Sequence, residues 1–188
     1  MTEYYFLEPE VRQGDVRILR GATSPGIDEG ADEGISLKDQ PPIEIVLSGF
    51  KQRFVDFLWW VGRGLIFVSE RVRPILAEHA PDIEFLAVEV TVQDSKRPVP
   101  MVYWYLNVPY LIDAIDEQRT DYVDRTDPWS PIRHLVLRAD AVDSRHIFRL
   151  GSKPSGAIWF SDQLRKALVS AQATGVHFTP IDQFQLLV

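Results

Sequence analysis

The sequence predicts an α+β protein: one mostly antiparallel or mixed sheet carrying a few short helices. Three observations predict it. Short β-rich runs outnumber helical ones, and the two good helical patterns are short. One passage is also written twice, as "LIFVSERVRPIL" over residues 65–76 and "AIWFSDQLRKAL" over residues 157–168. A chain of 188 residues buries roughly 70% of its unfolded surface. One domain over residues 1–188 is therefore expected, with no metal or disulfide needed for folding.

"YYFL" at residues 4–7 reads as an opening strand, and "DVRIL" at 15–19 as a possible second. Residues 21–42, "GATSPGIDEGADEGISLKDQPP", are dense in Gly, Pro and Asp. They hold few apolar side chains to offset the entropy of ordering. A mobile loop, dispensable for folding, is expected there. "IEIVL" at 43–47 looks like a strand. "FKQRFVDFLWWV" at 50–61 is ambiguous: Phe50, Phe54, Phe57, Leu58 and Val61 fit helical spacing, while the aromatics also suit a strand.

Two similar strand–Ser cap–helix–strand units follow. Residues 65–68 and 157–160 are short apolar runs of the buried-strand kind. Ser69 and Ser161 can cap the next helix by accepting its free N–H groups. Glu70 and Asp162 fall where a helix N-terminus favours an anion. Val72, Ile75 and Leu76 match Leu164, Ala167 and Leu168 on a buried face. Strands "IEFLAVEVTV" at 83–92 and "GVHFTPI" at 175–181 close the two units. Between them, "MVYWYLNV" at 101–108, "HLVLR" at 134–138 and "HIFRL" at 146–150 read as further strands.

Catalytic chemistry finds no foothold. The chain has no cysteine, which excludes disulfides, thiolate nucleophiles and Cys-ligated zinc. Its formal charge of −7 argues against a nucleic-acid partner. No secretory signal opens it, and its most apolar stretch, "FVDFLWWVG", is too short for a bilayer. A cytoplasmic protein without a membrane partner is expected. Neither repeated unit has the glycines of a phosphate-binding turn, and neither serine lies in a nucleophile elbow. Of the histidines, His79 ends a helix, and His134, His146 and His177 enter strands. Asp140, Asp143 and His146 lie at three-residue steps, but "DAVDS" reads as a turn that would not align them on a metal. No catalytic residue, metal ligand or cofactor is expected.

The order of these patterns resembles immunity protein family eleven of bacterial polymorphic toxin systems. The carrying residues are "DFLWW" leading into "LIFVSERVRPIL", then "IEFLAVEV", "YWYLNV", the acidic "IDAIDEQRTDYV", "HLVLR", "HIFRL", "IWFSDQLRKAL" and "GVHFTPID". They span residues 57–182, and the "YYFL" opening also fits. Residues 21–42 stand outside the resemblance. It implies an intracellular antitoxin without enzyme activity, which binds a cognate protein toxin encoded nearby and blocks it. A small enzyme on a polar substrate, or a general protein-interaction module, are the competing readings.

Toxins that act on nucleic acid or nucleotides tend to have basic clefts, which an inhibitor can occupy with carboxylates. Residues 112–128 hold six acids against two bases. The expected partner-binding residues are therefore Asp113, Asp116, Glu117, Asp121, Tyr122, Asp124, Asp127 and Trp129, the aromatics serving as anchors. The competing view is a solvated connection whose Tyr and Trp point inward.

Overall fold

The computed structural model describes residues 3–24, 26–27, 33–48, 52–95, 98–124, 126–127, 130–151 and 157–184. The fold is α+β, with mixed sheets and short helices. The strands are β1 (Tyr4–Pro9), β2 (Ile18–Ala22), β3 (Ile43–Leu47), β4 (Phe57–Trp60), β5 (Leu65–Ser69), β6 (Glu84–Val92), β7 (Tyr103–Asn107), β8 (Asp121–Tyr122), β9 (Ile132–His134), β10 (Ile147–Arg149), β11 (Ile158–Ser161) and β12 (Val176–Pro180). The α-helices that lie wholly within the described residues are α1 (Arg73–His79), α2 (Ala139–Val142) and α3 (Asp162–Ser170).

A six-stranded sheet runs β2-β3-β6-β7-β5-β4, and a four-stranded sheet runs β10-β11-β1-β12. Strands β8 and β9 form a small separate pair. Among the described strands, β3 and β6 alone form a parallel ladder; the other described ladders are antiparallel. The six-stranded sheet curls so that its edge strands approach one another. A Cβ added to Gly21 of β2 would lie 2.8 Å from the Trp60 ring of β4, so only glycine fits there without displacement.

The repeated passage is a matter of topology. Strands β5 and β6 both run antiparallel to β7, which lies between them. Strands β11 and β12 both run antiparallel to β1, which lies between them. Each helix thus connects two parallel strands with a third inserted in the gap. Helices α1 and α3 touch in the apolar layer between the sheets, where Leu76 and Leu164 are fully buried.

Alternate residues of β5 and β11 serve different cores. Ile66 and Val68 face the layer between the sheets, as do Ile158 and Phe160. Leu65 and Phe67 face the concave side of the six-stranded sheet. Trp159 faces a third core on the far side of the four-stranded sheet. Burial on both faces explains why these strands read as unbroken apolar runs.

Several expectations need correction. The ambiguous stretch at 50–61 gives a strand, β4, because Phe57 and Trp59 pack on one side of it and Leu58 and Trp60 on the other. The second strand starts at Ile18, not Asp15. The strand expected at 134–138 ends at His134, with Leu137 reduced to an isolated bridge with Ile115.

The segment 21–42 also differs from an unpacked loop where it is described. Gly21 and Ala22 finish β2. Ile27 and Leu37 are 0% and 1% exposed inside the curl of the six-stranded sheet. The buried Glu84 carboxylate accepts hydrogen bonds from the Ser36 hydroxyl (2.6 Å), the Leu37 N–H (2.8 Å) and the Asn107 amide (2.9 Å). Few apolar residues sit in this segment, but two of them fill one cavity, and a carboxylate satisfies its backbone. Residues 25 and 28–32 of the same segment lie outside the described residues.

The Ser caps divide. Ser161 caps α3 as expected, accepting the Leu164 N–H at 3.3 Å. Ser69 does not cap α1, whose N-terminal flank is Val72 with no side-chain hydrogen bond. Its hydroxyl instead donates to Asp56 at 2.7 Å, and Glu70 precedes the helix, paired with Arg73 at 2.8 Å. Pro74 in the first turn is the signal in the sequence that α1 starts late, since Pro favours that position. Ser161→Ala should cost about 1 kcal/mol, as cap losses do. Ser69→Ala should cost about 1.5–3 kcal/mol, because it removes one hydrogen bond to a buried, charged carboxylate. Urea unfolding of the two variants measures the difference; equal losses would return Ser69 to the role of a cap.

Candidate partner-binding surface

The described residues of 112–143 cover the outer face of the four-stranded sheet. Ala114, Ile115, Ile132, Leu135 and Val142 supply the buried side of this cover. Their polar neighbours are thereby turned outward. Asp113, Glu117, Asp121, Asp124 and Asp127 are exposed, and Asp116 and Tyr122 half-buried. The structure therefore brings the described members of the acidic run onto one connected cover. Trp129 lies outside the described residues.

Several of these groups already have work within the fold. Asp116 accepts the Gln118 and Arg119 N–H groups at 3.2 and 3.1 Å, closing a turn. Asp113 lies 3.6 Å from the Arg138 guanidinium. Tyr122 donates its hydroxyl to Glu117 at 2.8 Å. Asp124 accepts the Thr126 hydroxyl and N–H at 2.7 and 2.8 Å. The Thr126 hydroxyl, then its N–H, holds the Asp124 carboxyl below the usual carboxylate range. Asp121 faces His134 across the β8–β9 pair. The described members of this run are thus mostly exposed and partly self-satisfied.

Beside it opens a cleft of about 590 Å³. Tyr4, Leu135, Val142 and Ile181 contribute apolar lining, and Asp140, Asp143 and Asp182 contribute carboxylates. Sequence reasoning missed this feature. Tyr4, the 134–143 segment and Asp182 are far apart in the chain and meet only because β1 and β12 are neighbours in the sheet.

Among the described residues, Ser161 and His146 touch but do not build a reactive pair. Ser161 Oγ lies 2.8 Å from His146 Nδ1, a spacing that suits a nucleophile and its base. Yet Ser161 is 0% exposed, and its oxygen already holds the α3 N-terminus. Burial, then the charge of His79, pushes the His146 pKa down. The His79 and His146 rings meet edge to face at 5.5 Å. Asp140 and Val142 fall in the one-turn helix α2 rather than in the expected turn. Among the described residues, no group of three or more His, Asp or Glu side chains is placed to hold a metal ion. None of their helices is long and apolar enough to cross a membrane.

The most connected polar cluster lies elsewhere, around Asp56. This carboxylate is 2% exposed. It accepts hydrogen bonds from Ser69 (2.7 Å), from Arg71 Nε (3.0 Å) and Nη2, and from the Thr174 N–H (2.9 Å) and hydroxyl (2.8 Å). Arg71 also reaches the Ala171 carbonyl at 2.6 Å. Burial alone would raise the Asp56 pKa; the bonds from Arg71, Ser69 and Thr174 outweigh it and leave the pKa lowered. Every partner is a structural group, so this cluster joins β4 and β5 to the end of α3.

Fold and surface together define an α+β protein with an acidic outer cover and a mixed apolar–acidic cleft. The chain matches the model of the Imm11 immunity protein family over residues 12–183, and it belongs to that family. No similar protein is found among curated sequences.

Proposed function

We propose that this chain is an antitoxin: it binds a cognate toxin domain encoded nearby and blocks it stoichiometrically, protecting the producing cell. The family match over residues 12–183 carries this reading. In it, the chain acts in the cytoplasm, without enzyme activity or cofactor, and its work is done by a binding face. Co-expression with the protein of the neighbouring reading frame tests it. Restored growth and co-purification are expected, and neither would occur if the chain were a toxin-independent interaction module.

The binding face proposed is the acidic run with Tyr122 and Trp129. Complementary charge accelerates encounter by roughly 10–10³ fold and is screened by salt. Asp116 and Asp124 close turns, so the informative variant is Asp113→Asn, Glu117→Gln and Asp121→Asn together. Association with the toxin should slow about tenfold at low ionic strength and lose most of its salt dependence, with dissociation changed less. Association as fast as wild type at low and high salt would remove this face from consideration.

A further inference from the structure

The cleft next to the acidic run has a composition suited to one kind of side chain. Its accessible apolar lining includes Leu137, Ala139 and Ile181. Asp140, Asp143 and Asp182 are exposed beside it, and among the described residues none of the three is ion-paired with a cation. Among the described residues, Asp143 accepts the Ser144 N–H at 3.1 Å. The contrast with the neighbouring run is direct. There Asp113 and Asp116 have Arg138 and Arg119 within 3.6 and 3.9 Å. The cleft is continuous with that run through Arg119 and His134, which also line it.

We propose that the cleft receives an arginine side chain from the toxin, a proposal that rests on the antitoxin reading above. An aliphatic stem can lie along the apolar lining while the charged head stays at the wetter rim. Three carboxylates without ion-pair partners supply the complementary charge, against one lining cation, Arg119, which lies 3.9 Å from Asp116. Arginine suits this better than lysine because its planar guanidinium is weakly hydrated and bonds carboxylates in a two-pronged fork. Arginines are also among the residues that dominate protein–protein affinity. The volume of about 590 Å³ leaves room for the backbone of the loop that carries the side chain. The acidic run would then steer the approach, and the cleft would hold the partner once docked.

The test has two arms on the full chain. In the first, acetyl-arginine amide is titrated while the amide resonances of Ala139, Asp140, Val142 and Asp143 are followed, with uncharged acetyl-citrulline amide as control. Shifts with the arginine compound alone, lost in the variant Asp140→Asn, Asp143→Asn, Asp182→Asn, are expected. No shifts, or equal shifts with citrulline, overturn the proposal. In the second arm, the same variant is assayed against the toxin domain of the neighbouring reading frame. Because these aspartates are exposed and lack cation partners, the melting temperature should stay at the wild-type value while toxin affinity falls at least tenfold. Wild-type affinity in the variant overturns the cleft while leaving the antitoxin reading intact. Failure of the wild-type chain to bind the toxin overturns the antitoxin reading, and the toxin as source of the arginine with it. The first arm still decides whether the cleft recognises a guanidinium.

Discussion

Asp56→Ala is expected to be among the most damaging single substitutions in this protein, at about 3 kcal/mol. Removing one partner of a buried ion pair usually costs about 3–5 kcal/mol, because the other groups are left unpaired. Ser69 is 0% exposed and cannot recover its bond from water. The Arg71 side chain is 49% exposed and can hydrate, which places the loss at the lower end of that range. Asp56→Asn keeps an acceptor for Ser69 and should cost less, about 1–2 kcal/mol.

The pH dependence has a definite sign. The folded-state pKa of Asp56 is lowered, so its ionised form stabilises the fold above the unfolded value of about 3.9. That contribution is lost as pH falls through the lower, folded value. Glu84 is lowered too: burial would raise it, but the bonds from Ser36, Leu37 and Asn107 prevail. Wild-type stability should therefore decline below about pH 4, and the Asp56→Asn variant should show a shallower decline. Urea unfolding from pH 7 to pH 3 measures both; parallel acid losses in the two proteins would show that Asp56 is not a determinant.

Replacing residues 23–41 with a short Gly/Ser linker should lower the melting temperature by about 10–20 °C. Ile27 and Leu37 are buried, and each loses about 1.5–3 kcal/mol of burial. The Glu84 carboxylate loses its Ser36 and Leu37 donors, at about 1–3 kcal/mol for a stranded buried group. In a chain of this size about 1 kcal/mol corresponds to 2–4 °C. Leu37→Ala alone should cost about 2–5 kcal/mol. A melting temperature within a few degrees of wild type after the replacement would mean that the segment rides on the fold without supporting it.

The class of fold and most of its strands can be read from local pattern alone. Unbroken apolar runs such as 65–68 and 157–160 read as buried strands, and "IEIVL" became β3 without change. The double passage also marked a real recurrence: two parallel strands joined by a helix, with a third strand between them. These signals are legible because they are local, set by side-chain period and run length. The acidic run was legible as an exposed surface for the same reason.

Which polar groups are spoken for depends instead on contacts between distant parts of the chain. Ser69 and Ser161 occupy equivalent places in the two passages, yet Ser69 serves Asp56 and Ser161 caps a helix. The difference lies in Asp56, Arg71 and Thr174, which converge from three parts of the chain. Ile27 and Leu37 look isolated in a Gly-rich stretch until the curl of the six-stranded sheet provides one cavity for both. The cleft of Asp140, Asp143 and Asp182 exists only because the first and last strands are neighbours. Burial and pairing depend on what the rest of the chain brings alongside, and residue type and spacing carry no record of that.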